Sequence, residues 1–313
     1  MSNLSTKHFI GLKNAKASDI KLIIDTALTF REVLDRPIKK IPSLKGKNIV
    51  NLFFENSTRT KLSFELAEKR LSADVLNFTA SSSSLNKGES LRDTVQNIQA
   101  MKIDCAVMRH PVPGSCKKLT EYLDCPIVNA GDGTHEHPTQ AMLDMTSIYE
   151  KFGRIKNLKI VIVGDILHSR VAMSNIFGLN TMGAEVMLCA PPHLIPKYIK
   201  DFGVKITHNI DEALDWCDAV NVLRIQRERM GIGLIPSVKE YRDLFGVTKD
   251  RIKKLNKELV IMHPGPINRG VEIDSYAADS NQSIILNQVL NGVAVRMSIL
   301  YLLLGAGIDE KTD

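Results

Sequence analysis

The chain has 313 residues, of which 44% are hydrophobic and 24% are charged. This balance is typical of a folded globular protein and excludes a disordered chain. The formal net charge of +6 includes no block of basic residues, so nucleic acid is not an expected partner. The length exceeds the usual span of one compact core, which favours two domains.

The five cysteines contain no CxxC pair, and their odd number excludes a complete disulfide framework. The first residues lack the continuous apolar core of a signal peptide, and no later run approaches the length of a membrane-spanning helix. We therefore expect reduced thiols, a cytoplasmic location and no contact with a membrane.

Short β-rich runs alternate with helical patterns from about residue 45 onward, which predicts parallel βαβ units. The first series is KNIVNLFFE, DVLNFTA, DCAVMRH and PIVNAGD, and the second is LKIVIVGD, EVMLCAPP, KITHNI, DAVNVLRIQ and ELVIMHPGP. The predicted fold is α/β with two domains, residues 1–150 and 151–283, each a mostly parallel sheet flanked by helices. A long helix at about 284–313 is expected to pack back on the first domain and complete it.

The segment FFENSTRTKLSF places four candidate anion ligands between a strand and a helix that is expected to begin near Lys61. Backbone N–H groups and the dipole at a helix N-terminus favour an anion, and hydroxyls and a guanidinium add directed donors. The alternative is a helix cap with a surface arginine. Spacing alone does not decide between the two.

Three other motifs also allow two interpretations. The alternate histidines of His135-Glu136-His137 could hold a metal ion, but no third ligand with metal-site spacing is nearby. The segment GDILHSR resembles a nucleotide-binding turn but lacks the G-x-G-x-x-G spacing, which disfavours a dehydrogenase. The run SSSSLNKGES is typical of a solvated loop.

The chain contains STRT followed by a basic residue and SFE, and then, in order, KGESLRDT, VMRH, NAGDGTHEHPTQAMLD, GDILHSRVA, LRIQRER and HPGPINRGVEI. In this signature and this order of motifs the chain resembles the carbamoyltransferase family, in its aspartate-specific branch. Lys61 stands where the family usually has a second arginine, which removes one planar bidentate donor. The ornithine-specific branch usually carries HCLP where this chain has HPGP.

The resemblance implies that residues 1–150 bind carbamoyl phosphate. Arg59 and Thr60 are expected to be catalytic together with Arg109 and His137, which donate with Thr60 to the carbonyl oxygen of the carbamoyl group. Gln140 and backbone carbonyls around Pro264 and Gly265 are expected to receive its NH₂ group. The implied set of carbamoyl phosphate ligands is Ser57, Thr58, Arg59, Thr60, Ser84, Lys87, Arg109, His137, Gln140, Pro264 and Gly265.

Residues 151–283 are implied to bind L-aspartate, through Arg170 at the α-carboxylate and Arg224 at the β-carboxylate, with Gln226 and Lys87 as neighbours. Glu55 and Arg229 also match family positions, where ion pairs between the lobes that include Arg170 are implied to support a closed state. A bidentate guanidinium suits a carboxylate and opposes the ammonium of ornithine.

The implied function is carbamoyl transfer from carbamoyl phosphate to L-aspartate in pyrimidine biosynthesis, without a cofactor or metal. Carbamoyl transfer to another amino acid such as ornithine and a noncatalytic scaffold are the alternatives. The expected assembly is a homotrimer in which Ser84 and Lys87 complete the site of a neighbouring subunit. A regulatory chain or a dihydroorotase are possible further partners.

Overall fold

The computed structural model describes residues 4–79, 90–225 and 237–305. The chain divides into two compact units. The first contains the residues up to Thr146 and those from Leu290 onward, and the second is Ser147–Val289.

The first unit contains a parallel sheet, and three of its four strands are buried along most of their length, as parallel strands flanked by helices usually are. The strands are β1 (Asn48–Phe53), β2 (Asp74–Thr79), β3 (Cys105–His110) and β4 (Ile127–Asp132), in the order β2-β1-β3-β4. The helices in this part of the chain are α1 (Ala17–Leu34), α2 (Thr58–Arg70), α3 (Leu91–Ala100), α4 (Ser115–Leu119) and α5 (Pro138–Phe152).

The second unit contains another parallel sheet, in the order β7-β6-β5-β8-β9. Its strands are β5 (Lys159–Val163), β6 (Glu185–Cys189), β7 (Lys205–Thr207), β8 (Ala219–Val222) and β9 (Val260–Met262). Its helices include α6 (Arg170–Thr181), α7 (Ile210–Trp216), α8 (Val238–Phe245), α9 (Lys249–Lys254) and α10 (Ser275–Ala278).

The last helix, α11 (Ile285–Leu304), packs its later turns into the first unit. Ser298 Oγ donates to the Ile23 carbonyl at 2.9 Å, and the Tyr301 ring meets Phe30 edge to face at 5.5 Å. By length and composition α11 could cross a membrane, which corrects the expectation that no run approaches that length. However, 67% of its most apolar window is buried inside the protein, as in a core helix.

The predicted fold class is confirmed, and each of the nine predicted β runs contains an observed strand. In both sheets the chain order reverses between two neighbouring strands, β1 and β3 in the first and β5 and β8 in the second. Ligands of open α/β sheets bind outside the carboxyl ends of the strands at such a switch point. A ligand is therefore expected to contact residues that follow these four strands.

Candidate functional site

The segment after β1 forms the N-terminus of α2. The helix begins at Thr58, with Ser57 as its N-cap, so the expectation that it begins near Lys61 was three residues too late. Thr58, Arg59 and Thr60 therefore occupy the first turn, where backbone N–H groups lack intrahelical acceptors. The Ser57 hydroxyl makes no cap hydrogen bond to the helix, which weakens the alternative that the motif is only a cap.

Arg109 lies at the end of β3 and joins the ends of three neighbouring strands. Its Nη1 donates to Thr60 Oγ1 at 3.4 Å and to the Ala130 carbonyl at 3.1 Å. Its Nη2 lies 2.6 Å from Glu55 Oε1. These contacts orient the guanidinium beside the first turn of α2.

His137 and Gln140 lie at the start of α5. His137 directly precedes Pro138, the first residue of the helix, and its Nδ1 is 3.5 Å from Thr139 Oγ1. Gln140 Nε2 donates to Asp144 Oδ1 at 2.9 Å inside the protein. Because its nitrogen is engaged, the orientation of the Gln140 amide is fixed and its oxygen can serve as an acceptor.

The loop before His137 is tied to the N-terminal segment of the chain. Glu136 is buried, and its carboxylate accepts the Leu12 N–H at 2.7 Å and the Lys13 N–H at 3.4 Å. A Cβ atom at Gly11 would lie 2.5 Å from Glu136 Oε1, so a larger residue there would displace the carboxylate. Sequence reasoning missed this contact because it joins residues more than a hundred positions apart.

The histidine pair does not form a metal centre in this structure. His135 is half-exposed and contacts Asp132, whose hydrogen bond raises the pKa of the imidazole, whereas His137 is buried. Across residues 4–79, 90–225 and 237–305, no group of three or more His, Cys, Asp or Glu side chains is placed to hold a metal ion.

A third arginine of the first unit lies beneath α2. Arg296 of α11 is buried, donates to Ser63 Oγ at 3.0 Å and stacks over Phe64 at 4.9 Å. Burial lowers the pKa of Arg296 to about 9, and the positive charge of Arg109 acts in the same direction. The guanidinium groups of Arg109 and Arg296 therefore lie close to α2 and favour an anion there, whereas the Glu55 carboxylate opposes one.

In the second unit, Arg170 is the first residue of α6. Ser169 caps the helix by accepting the Ala172 N–H at 3.1 Å, and Arg170 itself is only 4% exposed. Arg170 is therefore not a surface side chain. Arg170 thus places a buried guanidinium beside the switch point of the second sheet.

Arg224 follows the neighbouring strand β8 and is half-buried. The Leu223 N–H donates to the Val163 carbonyl at 2.7 Å, which holds this segment against the end of β5. Gly164 has φ +123°, and a Cβ atom there would lie 2.9 Å from the Leu223 carbonyl oxygen, so the close approach needs glycine. Arg170 and Arg224 thus follow adjacent strands at the switch point of the second sheet.

The HPGP segment follows β9. Pro264 and Gly265 are half-buried, Gly265 has φ +66°, and the Gly265–Pro266 peptide is cis. A positive φ of this size favours glycine. Behind the turn, His263 and Glu272 form a buried pair that sequence reasoning did not identify.

Several predicted residues cannot be placed. Ser84, Lys87, Gln226 and Arg229 lie outside the described residues. Glu55, which was expected to take part in ion pairs of a closed state, pairs with Arg109 in this structure.

Two family models match consecutive parts of the chain. Residues 7–150 match the family model "Aspartate/ornithine carbamoyltransferase, carbamoyl-P binding domain", and residues 156–303 match "Aspartate/ornithine carbamoyltransferase, Asp/Orn binding domain". The chain belongs to the aspartate/ornithine carbamoyltransferase family. The family predicted from the sequence is thereby confirmed, and with it the prediction of a transferase.

Individual relatives within the family are similar over nearly the whole chain. The aspartate carbamoyltransferase catalytic subunit of Christiangramia forsetii is 61% identical, covering 96% of this chain and 97% of that protein. The aspartate transcarbamoylase of Trypanosoma cruzi in complex with carbamoyl phosphate superposes with a TM-score of 0.88 at 30% identity, covering 96% and 97% of the two chains. The catalytic subunit of the M. jannaschii aspartate transcarbamoylase gives 0.84 at 36% identity, covering 97% and 100%.

Proposed function

We propose that this carbamoyltransferase moves the carbamoyl group of carbamoyl phosphate to the amine of L-aspartate, giving N-carbamoyl-L-aspartate and phosphate. The observation that carries the proposal is the contact of Arg109 with Thr60, which brings a guanidinium to the first turn of α2 beside Arg59. The activity expected from the sequence agrees with the names of the relatives, among them the Christiangramia forsetii catalytic subunit.

The first unit is proposed to bind carbamoyl phosphate. Ser57, Thr58 and Arg59 would hold the phosphate at the helix N-terminus, where backbone donors and the dipole favour an anion. Thr60, Arg109 and His137 would donate to the carbamoyl oxygen. Because that oxygen gains negative charge when the amine adds, oriented donors stabilise the transition state more than the ground state.

The second unit is proposed to bind aspartate, with Arg170 at the α-carboxylate and Arg224 at the β-carboxylate. The carbonyl oxygens of Pro264 and Gly265, with the Gln140 amide oxygen, would accept the NH₂ group of the carbamoyl moiety. These acceptors orient the electrophile, since only one face of a planar carbamoyl group is then presented to the amine.

The proposed chemistry is a direct transfer. The uncharged amine of aspartate attacks the carbamoyl carbon, a tetrahedral intermediate forms, and its collapse breaks the bond to the phosphate oxygen. The amine proton leaves with this step, and phosphate itself is a competent acceptor. No side chain of this chain is assigned as a general base.

We further propose a cytoplasmic homotrimer that acts in pyrimidine biosynthesis, in which Ser84 and Lys87 complete the site of a neighbouring subunit. A regulatory chain or a dihydroorotase would be a partner of that trimer. Mass measurement of the purified protein tests the trimer directly.

The decisive experiment is an assay of the purified protein with carbamoyl phosphate and either aspartate or ornithine at matched concentrations. We expect N-carbamoyl-L-aspartate to form and citrulline to be essentially absent, because Arg224 would oppose the side-chain ammonium of ornithine. Comparable turnover of ornithine would contradict the substrate assignment, and inactivity with both amino acids would contradict the function.

A further inference from the structure

The first residue of the HPGP segment, His263, belongs to a pair of side chains that are fully shielded from solvent. His263 Nε2 is 3.2 Å from Glu272 Oε1, and both side chains are 0% exposed. The backbone N–H of His263 also donates to Gln288 Oε1 at 2.9 Å. The histidine is therefore anchored through its ring and its backbone before the turn begins.

The hydrogen bonds of His263 select one tautomer. Its Nδ1 accepts the Gly265 N–H at 2.7 Å, so Nδ1 carries no proton. The ring proton lies on Nε2 and is donated to Glu272. Because Nδ1 holds the Gly265 N–H, the direction of the Pro264–Gly265 peptide depends on the orientation of the imidazole.

The same carboxylate also reaches the far side of the turn and the neighbouring strand. Glu272 Oε1 accepts the Asn268 N–H at 2.6 Å, and Asn268 Nδ2 donates to the Ile225 carbonyl at 3.3 Å. Ile225 directly follows Arg224. One glutamate therefore connects both ends of the HPGP turn with the segment that carries Arg224.

A single oxygen of the carboxylate makes both contacts. Glu272 Oε1 faces His263 Nε2 at 3.2 Å and the Asn268 N–H at 2.6 Å. Loss of this oxygen would therefore release the imidazole and the Asn268 backbone together.

We infer that Glu272 is a positioning residue for carbamoyl transfer, which holds His263 in its Nε2–H tautomer and thereby aims the Pro264 and Gly265 carbonyls while fixing the Arg224 segment. The inference rests on the proposed function, because those carbonyls and Arg224 are the groups assigned there to the carbamoyl NH₂ and to aspartate. Glu272 itself contacts neither substrate.

The test is steady-state kinetics of the intact protein with Glu272→Ala, Glu272→Gln and His263→Asn. We expect Glu272→Ala to lower kcat about 10- to 100-fold, as misplacement of a reacting group does, and to raise the KM for aspartate several-fold. Glu272→Gln retains an acceptor oxygen for both N–H donors and should stay within about threefold of wild type in kcat. The binding of inorganic phosphate by calorimetry should be unchanged in all three, since its proposed ligands lie in the first unit.

A double-mutant cycle separates positioning from general packing. His263→Asn keeps an acceptor near the Nδ1 position but removes the Nε2 donor, so its kcat should fall as that of Glu272→Ala does. The double variant of Glu272→Ala and His263→Asn should have a kcat no lower than that of the less active single variant. The ¹⁵N shifts of the His263 ring should report the Nε2–H tautomer in the wild type and mixed tautomers in Glu272→Ala. Exposed Glu258, close to β9, provides the control Glu258→Gln, with unchanged kinetics.

The outcomes distinguish a failure of the inference from a failure of the proposed function. A wild type without carbamoyl transfer to aspartate overturns the proposed function. An active wild type with normal kinetics in folded Glu272→Ala overturns the role of Glu272. If Glu272→Ala does not fold, normal kcat and a normal KM for aspartate in folded His263→Asn overturn it in the same way.

Discussion

Glu55 and Arg109 form an ion pair within the first unit, in which Oε1 of the glutamate lies 2.6 Å from Nη2 of the arginine. Their side chains are only 18% and 12% exposed, so the pair is screened less than a surface ion pair. The same guanidinium donates to Thr60. Glu55 therefore both orients Arg109 and opposes the arrival of an anion.

These two effects can be separated with Glu55→Gln. Loss of the charged acceptor should loosen Arg109 and lower kcat by ~10-fold, because an electrostatic donor acts well only when it is held in place. Affinity for inorganic phosphate should stay equal or increase, since one negative charge is removed nearby. Calorimetry measures the affinity for phosphate, and steady-state kinetics measures kcat. Weaker phosphate binding in Glu55→Gln would contradict the claim that the Glu55 charge opposes an anion.

Arg59 is tested by Arg59→Ala. We expect kcat to fall by ~10²–10³-fold, the usual cost of a lost transition-state donor. Folding should be unaffected, because the side chain is exposed on the first turn of α2. Lys69→Ala, an exposed residue in the last turn of the same helix, is the matched control for activity and for circular dichroism. Near-normal turnover in folded Arg59→Ala would show that Arg59 does not take part in the reaction.

The strands and the switch-point residues could be predicted from the sequence because they depend on local patterns. Apolar runs of strand length identify β1 and β5, and the polar residues that follow parallel strands are directed to the carboxyl edge of a sheet. The start of α2 was missed by three residues, since Ser57, Thr58 and Thr60 are compatible with a loop as well as with a first turn.

The supporting contacts could not be predicted, because each depends on tertiary proximity. Glu272 lies nine residues from His263, and nothing in HPGPINRGVEI indicates that its carboxylate turns back under the loop. The contact of Arg296 with Ser63 joins residues 233 positions apart. Such pairs orient the side chains of a site, whereas local motifs indicate which side chains are candidates for it. The candidates were therefore easier to predict than their orientation.

Glu68 makes the stability of the first unit depend on pH. It is buried in α2 and accepts a hydrogen bond from Asn51 at 2.9 Å, and burial raises the pKa of its carboxyl from 4.5 to about 8. Between these values the folded protein retains a proton that the unfolded chain releases, so the free energy of unfolding falls as pH rises. The full loss above pH 8 is on the order of 3–5 kcal/mol.

Urea unfolding of Glu68→Gln from pH 5 to pH 9 measures this effect. The variant cannot lose a proton at this position, so its free energy of unfolding should fall less steeply with pH than that of the wild type. Glu32→Gln, at an exposed position of α1, should keep the wild-type slope. Equal slopes in Glu68→Gln and the wild type would show that Glu68 is ionised in the folded protein across this range.

The last prediction concerns Lys87, which lies outside the described residues and is proposed to act in the site of a neighbouring subunit. Trimers built entirely from Lys87→Ala chains or entirely from Arg59→Ala chains should be inactive, because every site then lacks one group. Both parents should nevertheless assemble, which sedimentation or mass measurement verifies before they are mixed.

Mixing the two inactive parents after dissociation should restore activity. In a hybrid ring, one site combines both lesions, and another combines an intact Arg59 with an intact Lys87 from its neighbour. Shared sites therefore predict recovery of a fraction of wild-type activity in hybrids, while each parent treated alone recovers none. If Lys87 served its own subunit, every site in a hybrid would still carry one lesion. Verified hybrids without activity would thus show that Lys87 serves the site of its own subunit or that the protein does not assemble as the proposed trimer.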